Sequence, residues 1–418
     1  MGVCRGWVRV ASVIGCAAVL AACGSASAAE PGARATTIGS PPPSSAVLTA
    51  TRTSAAVTNG QGLPTSAIPW ASVGPGWFVA LWGPKPGAAE GPQTARWVRQ
   101  PTTLYLVAPN ARRYRITTWP APAGYQLLDW SGDGRRVLVL KPTTGTPTQE
   151  TVEVVDLRTG GIVQTLSVPT LANALFTRPT GKAVLVWSDE STSPTSTPSF
   201  VRLSPSGAMQ LVYPTMYPQT GSLGTGVLPS LDGTQVVVGA TNGMALLNNN
   251  GTFVTTLGPS GRNCSPVRWW NHTEFLASCQ PPSGSSTLSP ALWLVPVNGN
   301  APTQLTFPVP PDNGDVGGWQ VGSNTYVQAL GACGSEYLAK REANGSTTPV
   351  KVPNNARDDV EVVGAHGSQV ALLARLACGA GTSLFWLDPV TAKEKPLLGP
   401  PLNGGGVMDA KPYPGLER

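Results

Sequence analysis

Two stretches of the chain decide the fold, WSGDGRRVLVLKP at residues 130–142 and VEVVDLRTGG at residues 152–161. Each is a run of β-branched and aliphatic residues bounded by a turn that contains glycine. Asp133-Gly134 between such runs is a strong signal for a β-hairpin. Together the two stretches predict consecutive antiparallel strands joined by tight turns.

Both stretches recur along the chain in a fixed order. Strands that follow a turn, as in the first stretch, are GWFVALW from 76, RRVLVLK from 135, KAVLVWS from 182, TQVVVGA from 234, TEFLASC from 273, NTYVQAL from 324 and SQVALLA from 368. Strands that end in a polar turn, as in the second, are TLYLVAPN from 103, TVEVVDLRTG from 151, SFVRLSPSG from 199, MALLNNNG from 244, ALWLVPVNG from 291, EYLAKREANG from 336 and SLFWLDPVT from 383. A third strand follows each polar turn, as in GIVQTLSVP from 161. Turn glycines at 160, 207, 251, 299 and 345 lie 47, 44, 48 and 46 residues apart, and units of about 40–50 residues with four strands predict β-propeller blades.

The phrase formed by residues 130–142 and 152–161 resembles the repeat of TolB-type, WD-repeat-like bacterial propellers. The segment PSLDGTQVVV, residues 229–238, is the next best copy. The resemblance covers roughly residues 66–400, and it implies an all-β fold, a seven-bladed β-propeller. Six or eight blades stay open, because the first and fifth units are irregular. Propellers of this type use the rim and the axial opening to bind protein or peptide partners.

The amino terminus predicts export and lipid anchoring. Residues 1–22 join a short basic segment to an apolar run that is too short to span a bilayer but suits a signal peptide. The run ends in LAAC, which resembles the bacterial lipobox and makes Cys23 the expected site of lipidation, with diacylglyceryl and palmitate-type chains. A membrane anchor needs about two such chains. Ordinary secretion with cleavage after the Ala-x-Ala at 26–28 is the alternative.

The domain division follows from composition. We assign 1–22 to a lipoprotein signal peptide, 23–65 to the lipidated cysteine and a disordered Ala/Ser/Thr/Pro linker, 66–404 to the propeller, and 405–418 to a C-terminal tail that could add a closing strand. The expected location is therefore extracytoplasmic, on the outer face of the cell membrane. The Ala/Gly/Pro-rich composition is compatible with an actinobacterial-type, high-GC Gram-positive source.

The cysteines of the propeller predict two disulfides. Four remain after the signal peptide and the lipid site are removed, and an even number in an exported protein favours disulfide bonds. Cys264 and Cys279 are symmetric about a predicted turn at Asn271-His272, which places them opposite each other in a hairpin. Cys333 and Cys378 occupy equivalent positions in neighbouring units. A metal site is the competing interpretation, although no C-x₂-C spacing occurs.

The search for catalytic and cofactor motifs is negative. There is no G-x-S-x-G, H-E-x-x-H or phosphate-loop motif, and only two histidines, His272 and His366, both at predicted turns. We expect no metal, no cofactor and no nucleic-acid partner. The basic run at Arg112, Arg113 and Arg115 falls on a predicted outer strand, where charges commonly block sheet-to-sheet aggregation.

Long insertions supply the one lead to a binding site. Connections after the second and fourth strands of a blade emerge on one face, and that face receives the insertions at 83–102, 189–198 and 280–289. Long loops on a rigid scaffold often carry recognition. The candidate partner-binding residues in these connections are Lys85, Arg96, Trp97, Arg99, Asp312, Asp315, Asp358 and Asp359.

These features favour a membrane-anchored lipoprotein whose propeller binds another envelope protein or a wall polymer without catalysis. The alternative is an extracytoplasmic hydrolase or lyase that acts on cell-wall sugar or peptide in the axial cavity. That enzyme would need clustered carboxylates, or a Ser, a His and an Asp within hydrogen-bond reach, at one mouth of the channel. No such cluster is visible in the sequence.

Overall fold

The structure is a computed structural model, and most of it consists of β-strands. Two short 3₁₀ helices lie at Thr65–Ala67 and Trp70–Ser72. The residues described are 62–84, 101–120, 124–142, 149–169, 172–188, 200–282, 288–309, 314–331, 336–353, 360–375, 381–399 and 405–415. Within these ranges no helix has the length and apolar character needed to cross a bilayer.

The described strands form six hydrogen-bonded sheets, of which four have four strands, one has five and one has nine. The nine-stranded sheet is joined between β15 and β18 by the single pair Ala240–Cys264, and we divide it there to number four-stranded units as blades 1 to 7. Blade 1 contains, from the inside outward, β30 (Gly405–Pro412), β2 (Phe78–Pro84), β3 (Thr102–Val107) and β4 (Arg113–Trp119), with β1 (Leu63–Pro64) added outside β4. Blade 2 is β5 (Gln126–Trp130), β6 (Arg136–Lys141), β7 (Gln149–Asp156) and β8 (Ile162–Pro169); blade 3 is β9 (Ala172–Phe176), β10 (Val184–Ser188), β11 (Phe200–Leu203) and β12 (Met209–Val212). Blade 4 is β14 (Gly221–Pro229), β15 (Gln235–Ala240), β16 (Met244–Asn248) and β17 (Phe253–Leu257), with the short β13 (Met216–Tyr217) beside β14; blade 5 is β18 (Cys264–Trp269), β19 (Glu274–Cys279), β20 (Ala291–Pro296) and β21 (Thr303–Gln304). Blade 6 is β22 (Asp315–Val321), β23 (Asn324–Leu330), β24 (Glu336–Arg341) and β25 (Thr347–Pro349); blade 7 is β26 (Val360–His366), β27 (Gln369–Arg375), β28 (Gly381–Asp388) and β29 (Lys393–Leu398).

The core lies between the blades. Seven apolar clusters occur among the described residues, and each joins two neighbouring blades, including blades 7 and 1. Strand β6 shows why the sequence gives this arrangement. Val137 and Val139 pack in the cluster with blade 1, whereas Leu138 and Leu140 pack in the cluster with blade 3. A strand that is buried on both faces needs a continuous apolar run, because successive side chains point to opposite faces.

The ring closes through the two ends of the described chain. Strand β30 is the innermost strand of blade 1 and pairs antiparallel with β2, from Phe78 opposite Pro412 to Pro84 opposite Gly405. Beyond the strand, the Tyr413 amide donates to the Trp77 carbonyl at 2.8 Å. Blade 1 therefore combines strands from both ends of the described chain, and the all-β class and propeller architecture expected from the sequence are confirmed.

The outer edge of blade 1 differs from the expectation. Leu63 and Pro64, which we expected in the linker, form β1 and pair in parallel with Tyr114 and Arg115 of β4. Arg113 is not a charge on an exposed strand edge that blocks aggregation, because its side chain is buried between blades. The arginine-rich strand is covered on its outside by the chain's own preceding segment.

Candidate functional site

The two faces of the propeller are built from connections of different length. Connections that leave the second and fourth strands of the blades emerge on one face, which we call the long-loop face. They include 85–101, 189–199, 280–290 and 305–314. The opposite face carries the turns inside each blade between strands one and two and between strands three and four, and we call it the tight-turn face. Its connections are two to seven residues long, as counted between the strand bounds.

Asp and Asn side chains shape the tight-turn face. The carboxylates of Asp133, Asp232 and Asp388 each accept the backbone N–H two residues ahead, at 3.1, 3.0 and 2.9 Å. In the two Asp-Gly turns this bond adds to the backbone hydrogen bonds from the Gly134 and Gly233 amides to the Ser131 and Ser230 carbonyls, which explains the Asp-Gly signal read from the sequence. Hydrogen bonds from the Ser230 hydroxyl and the Thr234 amide lower the pKa of Asp232.

The tight turns of neighbouring blades also touch each other. A Cβ atom placed on Gly132 of blade 2 would lie 2.1 Å from the Pro179 carbonyl oxygen of blade 3. A Cβ on Gly233 of blade 4 would lie 1.8 Å from the Arg178 carbonyl oxygen of blade 3, and Gly233 has a φ of +76°. Only glycine fits at either position, so the turns of blades 2, 3 and 4 are closely packed against each other. The turn glycines of blades 5, 6 and 7, at Gly299, Gly322 and Gly367, have open space around them.

Buried polar side chains tie the inner strands together. The Asp129 carboxylate of blade 2 accepts the Phe176 backbone N–H of blade 3 at 2.8 Å and pairs with the Arg178 guanidinium at 2.8 and 2.9 Å. The Asp409 carboxylate of β30 likewise accepts the Leu127 amide of blade 2 at 2.8 Å. These bonds cross blade boundaries, so they fix the positions of the blades relative to each other.

Gln328 makes a similar link between blades 6 and 7. Its side-chain nitrogen donates to the Val360 carbonyl at 3.0 Å, and its side-chain oxygen accepts the Val362 amide. Gln328 is buried, and a buried amide needs hydrogen-bond partners within the protein. These two bonds provide one for its nitrogen and one for its oxygen. Gln328 therefore fixes blades 6 and 7 relative to each other.

The described part of the long-loop face is best defined at blades 4 and 5. Cys264 and Cys279 form a disulfide between the start of β18 and the end of β19, and they are directly opposite in the strand register. Next to it, the Gln280 amide donates to the Asn263 carbonyl at 2.8 Å. The Arg262 guanidinium lies 5.4 Å from the centre of the Trp293 ring, a cation–π arrangement. A cross-linked hairpin thus carries a cation at this face.

Asp315 is the most unusual side chain at this face. It begins β22, is only 4% exposed, and its Oδ1 atom has no hydrogen-bond partner. Burial raises the pKa of Asp315 to about 6, while the hydrogen bond from the Thr306 hydroxyl acts in the opposite direction. Thr306 in turn accepts the Leu292 amide at 3.0 Å, so the carboxyl group is held by blade 5. The sequence placed Asp315 in an exposed partner-binding loop, and this is wrong because the residue lies in the sheet.

Most other predicted site residues lie outside the described residues. These are Cys23, Cys333, Cys378, Lys85, Arg96, Trp97, Arg99, Asp312, Asp358 and Asp359. His272 lies exposed in the β18–β19 turn, as the sequence predicts. His366 ends β26 and faces Gly76, and its ring centre lies 6.3 Å from that of Trp386. In the part of the chain that is described, no group of three or more His, Cys, Asp or Glu side chains is placed to hold a metal ion.

Sequence reasoning missed the buried polar residues at the blade boundaries. Asp129 and Asp409 were not singled out, because neither belongs to a catalytic or metal-binding motif. The signal that could have found Asp129 is its place in LLDW, where a charge interrupts a strand that is otherwise apolar. No comparable signal marks Arg113 or Tyr105, whose burial depends on a neighbouring blade.

Comparisons with known proteins give only distant similarities. No protein-family model matches the chain, and no curated protein resembles it in sequence. Among solved structures, the chain is similar to the β-propeller domain of Cps50 (Swd1) from Myceliophteria thermophila, with a TM-score of 0.46 and 14% identity over 68% of this chain and 90% of that one. It is also similar to a putative 6-phosphogluconolactonase from Bacteroides uniformis, with a TM-score of 0.46 and 13% identity over 81% of this chain and 98% of that one.

A peptidase is a third structural neighbour. An acylaminoacyl peptidase matches with a TM-score of 0.47 and 10% identity over 77% of this chain, and this chain spans about half, 52%, of the peptidase. Two of the three neighbours are named for different activities, and the third is named only as a β-propeller domain. At these scores and identities the similarities carry no inference about the activity of this chain.

Proposed function

We propose that this protein is a non-catalytic binding scaffold on the outer face of the cell membrane, anchored through lipid on Cys23. Its partner is another envelope protein or a wall polymer, bound at the long-loop face. The observation that supports this proposal is the difference in the length of the connections on the two faces of the propeller. One face consists of turns of two to seven residues, which are in close contact at blades 2 to 4, and the other receives the longer connections between strands.

The strands of the propeller are held in place, whereas the connections at the long-loop face are free to differ. Seven apolar clusters and the cross-blade hydrogen bonds hold the strands in place. Connections at the long-loop face can therefore change in length and sequence without loss of the core, which is how recognition loops are generally carried. The tight-turn face lacks that freedom at positions such as Gly132 and Gly233, where any side chain would collide with a neighbouring turn.

The test is capture of partners by crosslinking in native membranes. Replacing residues 86–100 with a short Gly-Ser turn should abolish a specific crosslinked species that wild type gives. The matched control replaces exposed residues of the tight-turn face, His272→Ala and Val390→Ala, and should keep that species. Equal capture by the trimmed and control variants would contradict the assignment of the binding face.

The lipid anchor and the absence of catalytic activity are tested by separate measurements. A Cys23→Ala variant should leave the membrane fraction and appear in the soluble fraction. A variant that stays bound would contradict the lipid anchor. Turnover of wall fragments or esters by the purified wild-type protein would contradict a purely binding role.

A further inference from the structure

The boundary between blades 1 and 7 contains a buried arginine without a counter-ion. Arg113 on β4 is 9% exposed, and its Nε and Nη1 atoms are both buried without a hydrogen-bond partner. Among the residues the structure describes, no carboxylate pairs with it. A buried guanidinium without a partner is costly, because burial removes its hydration and nothing replaces it.

A second unpartnered donor lies beside it. Tyr105 on β3 is 1% exposed, and its hydroxyl also has no hydrogen-bond partner. Burial raises the pKa of Tyr105, and the nearby charges of Arg113 and Arg115 act in the opposite direction. Strand register puts all three on the blade 7 side, since Tyr105 is opposite Arg115 and Val107 is opposite Arg113. At neutral pH the phenol is protonated and available as a donor.

Two further cations belong to the same blade boundary, Arg115 on β4 and Lys395 on β29. Arg115 is exposed on β4, and Lys395 of blade 7 reaches across the boundary to donate to the Pro109 carbonyl at 2.9 Å. Lys395 is opposite Trp386 in the sheet, and Trp386 packs in the cluster between blades 7 and 1. Burial lowers the pKa of Arg113, which the nearby Tyr105 phenol opposes. Arg113, Arg115 and Lys395 therefore lie at the same blade boundary.

From this arrangement we propose that the boundary of blades 1 and 7 is a binding site for an oxyanion, either a phosphate or a carboxylate group of a ligand. The Arg113 guanidinium and the Tyr105 hydroxyl supply the donors that lack partners, and Arg115 and Lys395 lie on the solvent side. Guanidinium groups suit both anions, because they combine a permanent charge with several N–H donors. The site is separate from the long-loop face, so it stands or falls independently of the proposed function.

The experiment measures the thermal stability of the full-length protein in detergent at pH 7.5 against anion concentration. Sodium phosphate, sodium acetate and sodium chloride are compared at constant ionic strength. Wild type should show a saturable rise in Tm with phosphate or with acetate that chloride does not reproduce. A phosphate response indicates a phosphate-bearing ligand, and an acetate response indicates an acidic peptide or sugar. Equal responses to all three salts would overturn the site.

Three variants separate the site from a general salt effect. Arg113→Met should weaken the apparent affinity at least tenfold, because a charged hydrogen-bond donor is lost. Tyr105→Phe should weaken it about fivefold and serves as the second test if Arg113→Met does not fold. Arg112→Met is the matched control, since Arg112 is adjacent, exposed and lines the cleft on the blade 2 side with Trp77. An unchanged response in both Arg113→Met and Tyr105→Phe would overturn the proposal.

Discussion

Replacing Asp315 with Asn should make the protein more stable at neutral pH. The carboxyl group is buried at the start of β22, and its Oδ1 has no hydrogen-bond partner. Burial raises its pKa from 3.8 to about 6. At one pKa unit per about 1.36 kcal/mol, holding the ionised group in the folded protein costs about 3 kcal/mol at pH 7.

The sign follows from proton binding. The folded state binds the Asp315 proton more tightly than the unfolded state, so this group's contribution to stability is fully present below pH 3.8 and is lost as pH rises through about 6. Asn carries no charge, but it buries an N–H₂ group that lacks a partner, at about 1 kcal/mol. The variant should therefore be about 2 kcal/mol more stable than wild type at pH 7.5.

The assay is urea unfolding followed by tryptophan fluorescence between pH 4 and pH 7.5. The difference in unfolding free energy between wild type and Asp315→Asn should change by about 2.5 kcal/mol across that range. Asp388→Asn is the control with the opposite sign. Hydrogen bonds from the backbone N–H groups of Thr391 and Val390 lower the pKa of Asp388, so its contribution is lost as pH falls. A wild-type-to-Asp315→Asn difference that is flat with pH would refute the reasoning.

Further predictions concern the cross-blade contacts. Asp129→Ala should lower the unfolding free energy by about 3–5 kcal/mol, because it leaves the buried Arg178 guanidinium without its partner; urea unfolding tests this, and a loss below about 1 kcal/mol contradicts it. Gly233→Ala should lower Tm far more than Gly261→Ala, since both have positive φ but only Gly233 would place a Cβ against a neighbouring carbonyl; equal shifts would show that turn packing is unimportant. Cys264→Ala should lose about 3 kcal/mol, as expected for a loop closed over 15 residues, and should match reduced wild type in the same unfolding assay.

The second and third strands of the blades were predictable from the sequence. Most second strands are buried on both faces, so they are written as apolar runs such as RVLVLK in β6. Several turns of the tight-turn face carry Asp or Asn followed by Gly, because the side chain closes the turn and Gly accepts a positive φ. Local signals of this kind fixed the repeat and hence the architecture.

The innermost strands were not predictable in the same way. Strands β14 and β22 are rich in glycine and carry few consecutive apolar residues. Their pairing is set by the strands beside them rather than by their own composition. Strand β30 pairs with β2 from the other end of the chain, and no local pattern encodes such a contact.

The candidate sites show the same limit. Asp315 follows DNG in the sequence, which is a turn signal, and only the packing of Thr306 from blade 5 makes it a buried residue. Arg113 lies in RRYRITTW, which indicates a charged edge, and its burial depends on blade 7. In both cases the decisive neighbour belongs to a different blade.

These two residues have a feature in common that bears on function. Each is a charged side chain buried at a blade boundary with at least one unpartnered polar atom, whereas the buried Asp129 carboxylate is paired with Arg178. Buried polar groups are satisfied in most native structures, so an exception calls for a specific explanation. For Asp315, protonation near pH 6 removes the unfavourable charge without any ligand. Arg113 has no such escape, because a guanidinium stays protonated in proteins. Among the described residues Arg113 has no carboxylate partner, and an anion from outside the chain is the partner that we propose for the blade 1–blade 7 boundary.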